Sequence, residues 1–302
     1  MKLGILCPGQ GSQNLAMLDF LKENEIAKNI INKASDILNI DLFTLDESMD
    51  IFQNILAQPL ICATQIATYK AIKSSINPAS IFAGYSLGEL SVYGCNGSLE
   101  LEEAILLAKK RAELMDLANK EKSALLSCQN LPQSIVKDLC KKANTFISII
   151  NVDRHFIIGG EIKNLENFKS FAFEKGAIIK PLSVYLASHT PLLKSASEDF
   201  NKALKESNFK NPIIPAVSSI NNTFICDKTS AIETLSKQIS QTIQWEGTLE
   251  TLLEFGCDVI LELGPGKALS KMVQKLDSNV VVRSTSDFKT LDGIISWINK
   301  NS

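Results

Sequence analysis

Residues 80–94, SIFAGYSLGELSVYG, constrain this chain more than any other stretch. SIFAG (80–84) reads as a short buried strand, and it runs without a linker through YSLG (85–88) into LGELSVYG (87–94), which reads as the opening turns of a helix. Gly84, Ser86 and Gly88 complete the pattern G-x-S-x-G, in which glycines let strand and helix approach while the serine sits on a strained turn with its hydroxyl exposed. The letters alone are common, but the strand before and the helix after are the context that such a turn requires. The stretch predicts an α/β chain carrying a nucleophile elbow; a glycine-rich βα loop with an inert serine is the alternative.

The rest of the chain repeats the strand, turn, helix rhythm and then breaks it. LGILC (3–7) reads as a strand ended by PGQGSQ (8–13), QPLICATQIATYKAIKSS (58–75) as a buried helix, and 98–120 as a helix capped by Ser98. Between 122 and 187 the order becomes β-α-β-β-α-β, from SALLSC (123–128) to the extended AIIKPLSVYL (177–186), which is the ferredoxin-like unit. Helices follow over 190–207, opened by Thr190 and Pro191, and over 230–245; IPAVSS (214–219) and CDVILELG (257–264) read as strands, and Pro265 starts a helix over 265–276. The fold class is therefore α/β: a large domain of residues 1–121 and 188–302, interrupted by a small ferredoxin-like domain at 122–187.

Composition narrows the function. The 302 residues hold 31 Lys and Arg against 33 Asp and Glu, a formal net charge of −2, which argues against nucleic acid as a partner. Seven cysteines, at 7, 62, 95, 128, 140, 226 and 257, form no C-x-x-C and no close pairing with either histidine, so neither a disulfide framework nor a zinc site is expected. MKLGILCPGQGSQ is not a secretory leader and no run approaches about 18 apolar residues. A cytoplasmic protein with reduced thiols, with no membrane partner, is the expectation.

A serine hydroxyl needs a base, and the sequence holds two histidines. His155, in NVDRHFII, lies between two strands of the small domain. His189, in YLASHTPLL, falls where the chain returns to the large domain, and a cleft between domains would run there. His189 is thus the candidate base, with a core or capping histidine as the alternative. No acidic residue stands out as its partner; a backbone carbonyl could fix the imidazole tautomer and leave a dyad.

Two further features are read from spacing. PGQGSQ lacks the third glycine of a dinucleotide fingerprint, and GPGK (264–267) lacks the Walker spacing. Gln10, presenting its amide or its backbone near the elbow, could complete an oxyanion hole with the Leu87 N–H; a tight turn is the alternative. Arg111 is one of three arginines and shares a helix face with Ala104, Ala108 and Met115. A guanidinium on an apolar face either snorkels or grips an acid, such as a substrate carboxylate.

Taken together, PGQGSQ (8–13), the QPL segment with Gln58, GYSLGE (84–89), the Arg111 helix, NVDRHFIIGG (151–160), SHTPLL (188–193) and ELGPGKAL (262–269) resemble, in order, the malonyl-CoA:acyl-carrier-protein transacylase family. The resemblance implies an α/β-hydrolase-like large domain with an inserted ferredoxin-like domain. It further implies Ser86 as acyl acceptor, His189 as base, Arg111 as the malonyl carboxylate clamp, Gln10 and Leu87 as the oxyanion hole, and Gln58 and Asn151 as substrate-positioning residues. Family members orient the histidine by a backbone carbonyl, here expected from the ELGPG loop at 262–266. No bound cofactor or metal is implied; malonyl-CoA and a phosphopantetheinylated carrier protein are substrates. Tyr85 stands where fatty-acid members usually carry His, and with RAELMD (111–116) and QTIQW (241–245) it looks more like the malonyltransferase (epsilon) subunit of malonate decarboxylase, whose partner is that enzyme's own carrier subunit. A fatty-acid or polyketide loader, a serine hydrolase or thioesterase, and a non-catalytic carrier-binding subunit are the alternatives.

Overall fold

The computed structural model describes residues 2–182, 184 and 186–301. In chain order it runs β1 (Leu3–Cys7), α1 (Glu25–Leu38), α2 (Asn54–Ile72), β2 (Ile81–Gly84), α3 (Leu87–Cys95), α4 (Leu101–Ala118), β3 (Ser123–Gln129), α5 (Gln133–Ala143), β4 (Phe146–Asn151), β5 (His155–Glu161), α6 (Ile162–Glu174) and β6 (Ile178–Pro181). It continues with α7 (Lys194–Glu206), β7 (Ala216–Val217), β8 (Phe224–Ile225), α8 (Lys228–Lys237), β9 (Ile243–Gln244), α9 (Trp245–Glu254), β10 (Val259–Glu262), α10 (Ala268–Leu276), β11 (Val281–Ser284) and α11 (Leu291–Asn301).

The strands form two sheets. The larger has the order β11-β10-β1-β2-β7-β8, parallel except where β8 turns back on β7. Its central strands are buried along their whole length because helices cover both faces, as parallel sheets require, and Glu262 at the end of β10 is their one charged residue. The smaller sheet has the order β6-β3-β5-β4-β9, and its antiparallel β3 to β6 with α5 and α6 is the ferredoxin-like unit. The fold is an α/β-hydrolase-like large domain with an inserted ferredoxin-like small domain.

Several boundaries differ from the sequence reading, each for a local reason. The helix expected over 230–245 stops at Lys237; the chain then crosses to the small sheet, where Ile243 and Gln244 pair in parallel with Ile149 and Ile150. Thr242 anchors the crossing by donating from Oγ1 to the Ile147 carbonyl. Ser98 does not cap α4, since its hydroxyl is bonded to Asn96 Oδ1 and the helix starts later, at Leu101. The helix after Pro265 starts at Ala268, where the Glu262 carboxylate accepts from the N–H groups of Leu269 and Ser270. The strand expected over 214–219 shortens to Ala216–Val217. Of the extended segment expected over 177–186, Ser183 and Tyr185 lie outside the described residues, and so does Tyr185 of YLASHTPLL.

Candidate active site

The elbow is built by close approach of backbones. A Cβ on Gly88 would sit 1.8 Å from the Cys7 carbonyl oxygen, and one on Gly84 would sit 2.2 Å from the Glu89 nitrogen. Strand β1 and helix α3 can therefore pass only over bare backbone. Between the glycines Ser86 is forced to φ 55°, ψ −117°, conformational strain of the kind stored at functional turns. The Leu87 N–H lies at the start of α3, where a helix leaves its donors without intrahelical partners. The 8–13 loop presses on the same turn: a Cβ on Gly9 would meet the Tyr85 carbonyl oxygen at 2.7 Å and Ser86 Cβ at 3.4 Å. Among the described residues the Gln10 backbone N–H has no hydrogen-bond acceptor, while its side chain donates to Asn54 Oδ1 at 2.9 Å.

His189 meets the elbow from the other side. Its Nε2 lies 2.8 Å from Ser86 Oγ, and its Nδ1 lies 2.6 Å from the Gln238 backbone carbonyl. A carbonyl only accepts, so Nδ1 carries the proton and Nε2 is the acceptor for the serine hydroxyl. The orienting carbonyl thus comes from Gln238 at the end of α8 and not from the 262–266 loop. That loop is otherwise engaged: Glu262 caps α10, and the Gly264 carbonyl accepts from Gln65. His189 itself has φ 60° and is held from both domains. Its N–H donates to the Ile239 carbonyl, Ser148 donates to the Ser188 carbonyl, and Ser123 accepts from the Ala187 N–H.

Arg111 is fully buried, so it does not snorkel. Its Nη1 donates to Gln58 Oε1 at 2.8 Å and its Nη2 to Gln238 Oε1 at 3.1 Å; Nε is without a partner, and among the described residues no carboxylate lies within ion-pair distance. Gln238 therefore does more than the sequence reading asked of any residue there. Its Nε2 donates to the Ser86 carbonyl at 2.9 Å and to Glu89 Oε2 at 2.8 Å. Gln238 and Glu89 were not among the expected residues, because a helix drawn through 245 hides the chain end that exposes the Gln238 carbonyl.

Burial sets the electrostatics. It drives the His189 pKa down to about 3, the Arg111 charge adding to the effect and the Gln238 carbonyl opposing it. Burial also lowers Arg111 to about 10, against the pull of Glu89. The Glu89 carboxyl is raised by burial, partly offset by its bonds from Ser219 and Gln238.

Ser86 and His189 open into a cleft of about 230 Å³ between the domains, with Leu125, Ile149, Ile157 and Met272 among its apolar walls. Asn151 lines it beside the Tyr85 hydroxyl, with neither amide atom in a hydrogen bond of normal geometry, and Gln10 lines it from the facing loop. His155 is also on this wall, bonded through Nε2 to Ser127 Oγ at 2.9 Å. Burial lowers its pKa. Neither Gln58 nor Arg111 is on the wall; both lie buried behind it, Gln58 bonded to Arg111 and Arg111 joined to the catalytic pair through Gln238. Tyr85 lines the cleft and stacks edge-on against Trp245 at 5.1 Å. Among the described residues no cluster of metal-ligating side chains occurs, and no helix is long and apolar enough to cross a membrane.

An acyl transferase domain profile matches residues 5–291. A malonyl CoA-acyl carrier protein transacylase of Buchnera aphidicola subsp. Schizaphis graminum is 30% identical over 302 residues, covering 94% of this chain and 95% of that protein. The solved structure of FabD from Acinetobacter baumannii superposes with a TM-score of 0.94 at 26% identity, over 100% of this chain and 99% of that one. A malonyl-transacylase solved in complex with a type II PKS acyl-carrier protein superposes with a TM-score of 0.93 at 25% identity, over 98% and 99%.

Proposed function

This chain belongs to the acyl transferase domain family and is an acyltransferase, and on that premise we propose that it moves malonyl from malonyl-CoA, through an ester on Ser86, to the phosphopantetheine thiol of an acyl carrier protein. The observation that carries the reading is the 2.8 Å contact between Ser86 Oγ and a singly protonated His189, with a buried arginine bonded only to carboxamide oxygens in the same network.

In this mechanism Ser86 Oγ attacks the thioester carbonyl as His189 Nε2 takes the hydroxyl proton. The backbone N–H groups of Gln10 and Leu87 receive the developing oxyanion. The C–S bond then breaks, and His189 returns its proton to the departing CoA sulfur. The carrier thiol repeats the sequence in reverse: His189 removes its proton, sulfur attacks the Ser86 ester, and the serine oxygen leaves with the proton. Arg111 holds the free carboxylate of the malonyl group; its present acceptors, the side-chain oxygens of Gln58 and Gln238, are the neutral counterparts of that group. Asn151, on the cleft wall beside Tyr85, positions the substrate.

The relatives named as malonyl transacylases support a fatty-acid or polyketide carrier as the acceptor. A second reading, loading of a malonate decarboxylase carrier subunit, rests on Tyr85 in the cleft. The test is an acyl-transfer assay with malonyl-, methylmalonyl- and acetyl-CoA against both kinds of carrier. Malonyl transfer to one carrier in clear preference assigns the pathway. Release of malonate to water as fast as transfer to either thiol would replace the transferase reading with a hydrolase.

A further inference from the structure

Arg111 and His189 are joined through one residue. The guanidinium donates to the side-chain oxygen of Gln238, and the imidazole donates to the same residue's backbone carbonyl. Arg111 is sealed from solvent with only neutral acceptors on its Nη groups, so its charge acts at the base through a medium of low dielectric. The charged and titratable groups around His189 are few: Arg111 from α4, Glu89 from α3 behind the Gln238 amide, His155 from β5 and Glu262 from β10 across the cleft.

We propose that the carboxylate of the substrate, on pairing with Arg111, switches on His189 as a base, so that selectivity for a dicarboxylic acyl group is exercised in the proton transfer as well as in binding. The inference rests on the malonyl-transfer reading. Burial is the first reason that the imidazole is a poor proton acceptor, and the field of Arg111, while no carboxylate faces it, adds to that by disfavouring a second positive charge nearby. A substrate carboxylate on the guanidinium cancels the second contribution and raises basicity where the Ser86 proton must go. An acetyl group carries no charge to cancel it. Gln238 is the positioning residue of this coupling, because it fixes both partners at once while its Nε2 is anchored on Glu89 and the Ser86 carbonyl.

The test is single-turnover acylation of Ser86 at saturating malonyl-CoA and acetyl-CoA after rapid pH jumps to values between about pH 2.5 and 7, a window that reaches below the His189 value of about 3, read by rapid quench and intact-protein mass spectrometry, on the wild type and Arg111→Gln. The acid limb of a saturated step reports the base in the substrate complex. We expect the malonyl limb to lie at least about one pH unit above the acetyl limb in the wild type, the scale of one neighbouring charge. In Arg111→Gln the acetyl limb should move up toward the malonyl one, with acetyl acylation accelerated by on the order of a few-fold as the base strengthens. Titration of Glu89, His155 or Glu262 would move both limbs alike. Protonation of the malonyl carboxylate would raise the malonyl limb while leaving the acetyl limb of Arg111→Gln where it is in the wild type, an outcome that overturns the coupling. Coincident limbs in the wild type, with a malonyl ester still forming on Ser86, overturn the coupling and leave the function standing. Absence of any malonyl ester on the wild type overturns the function and the coupling with it. Where Arg111→Gln does not fold, Arg111→Met, which also removes the charge, is the second variant on which the acetyl limb is read.

Discussion

Gln238 holds His189 by its main-chain carbonyl, 2.6 Å from Nδ1. The role an acidic side chain plays in a triad is thus given to a backbone atom that no side-chain substitution removes. The Gln238 side chain is a separate matter. Truncation in Gln238→Ala orphans Arg111 Nη2 in a buried setting, while Glu89 Oε2 keeps its bond from Ser219 and the Ser86 carbonyl keeps its bond from the Glu89 N–H. Such an orphan costs about 1–3 kcal/mol. We expect urea unfolding to show a loss on that scale, with the His189 carbonyl bond retained. An unchanged midpoint would mean that the network relaxes without the amide.

Ser86 has two separable roles, and two substitutions should separate them. Ser86→Ala keeps the strained backbone and removes the hydroxyl, so the fold survives while intact-mass spectrometry after exposure to malonyl-CoA shows no adduct. An adduct persisting on this variant would move the nucleophile elsewhere, to Ser91 or a cysteine. Ser86→Gly removes the Cβ from a φ of 55° and should stabilise the protein by about 1 kcal/mol in urea, since such strain is worth about 1–3 kcal/mol.

The elbow was the most legible part of the chain because its chemistry is local: strand, glycines and helix are contiguous, and a Cβ at Gly84 or Gly88 would collide with neighbouring backbone. The Arg111 face was equally legible, since Ala104, Ala108 and Met115 at helical spacing are buried with it. What could not be read were relations that depend on distant segments meeting. Gln238 lies 49 residues from His189 and 127 from Arg111, and its part rests on where α8 ends. That end is set by β9 joining the small sheet, a pairing over two residues with too little periodicity to see in advance. Glu262 misled for the same reason: its loop is in the right region, but its carboxylate is committed to the start of α10.

His189 should also leave a mark on stability. Its pKa is about 3 when folded, against an ordinary value of about 6.5 when unfolded, so the unfolded chain binds the extra proton between those limits. Stability contributed by the neutral imidazole is present above about pH 6.5 and is lost as pH falls toward 3, by up to about 1.4 kcal/mol per pH unit. Glu89 and Glu262 act in the opposite sense, since their raised carboxyls take up protons in the folded state first. They are common to the wild type and His189→Gln, so the difference between the two isolates the histidine. Urea midpoints at pH 7, 6 and 5 should converge, the wild type losing more on acidification. A constant gap between them would show that the imidazole is not held neutral.

Arg111 separates malonyl recognition from thioester chemistry in general. Its guanidinium is buried, has no partner on Nε and only one carboxamide oxygen on each Nη, which is an arrangement a carboxylate improves. Arg111→Ala should therefore lose malonyl transfer by about 2–5 kcal/mol, the scale for truncating one partner of a buried hydrogen-bonded charge pair. Acetyl transfer should suffer far less, because acetyl has no carboxylate to leave unpaired, and its rate relative to malonyl should rise. Lysine should restore only part of the loss, as a point charge cannot bridge Gln58 and Gln238 with a planar fork. The measurement is kcat/KM for malonyl-CoA and acetyl-CoA on the wild type, Arg111→Ala and Arg111→Lys, with circular dichroism to confirm folding. If alanine slows both substrates by the same factor, Arg111 serves the packing of α4 against α2 or grips the CoA common to both, and the carboxylate clamp is wrong.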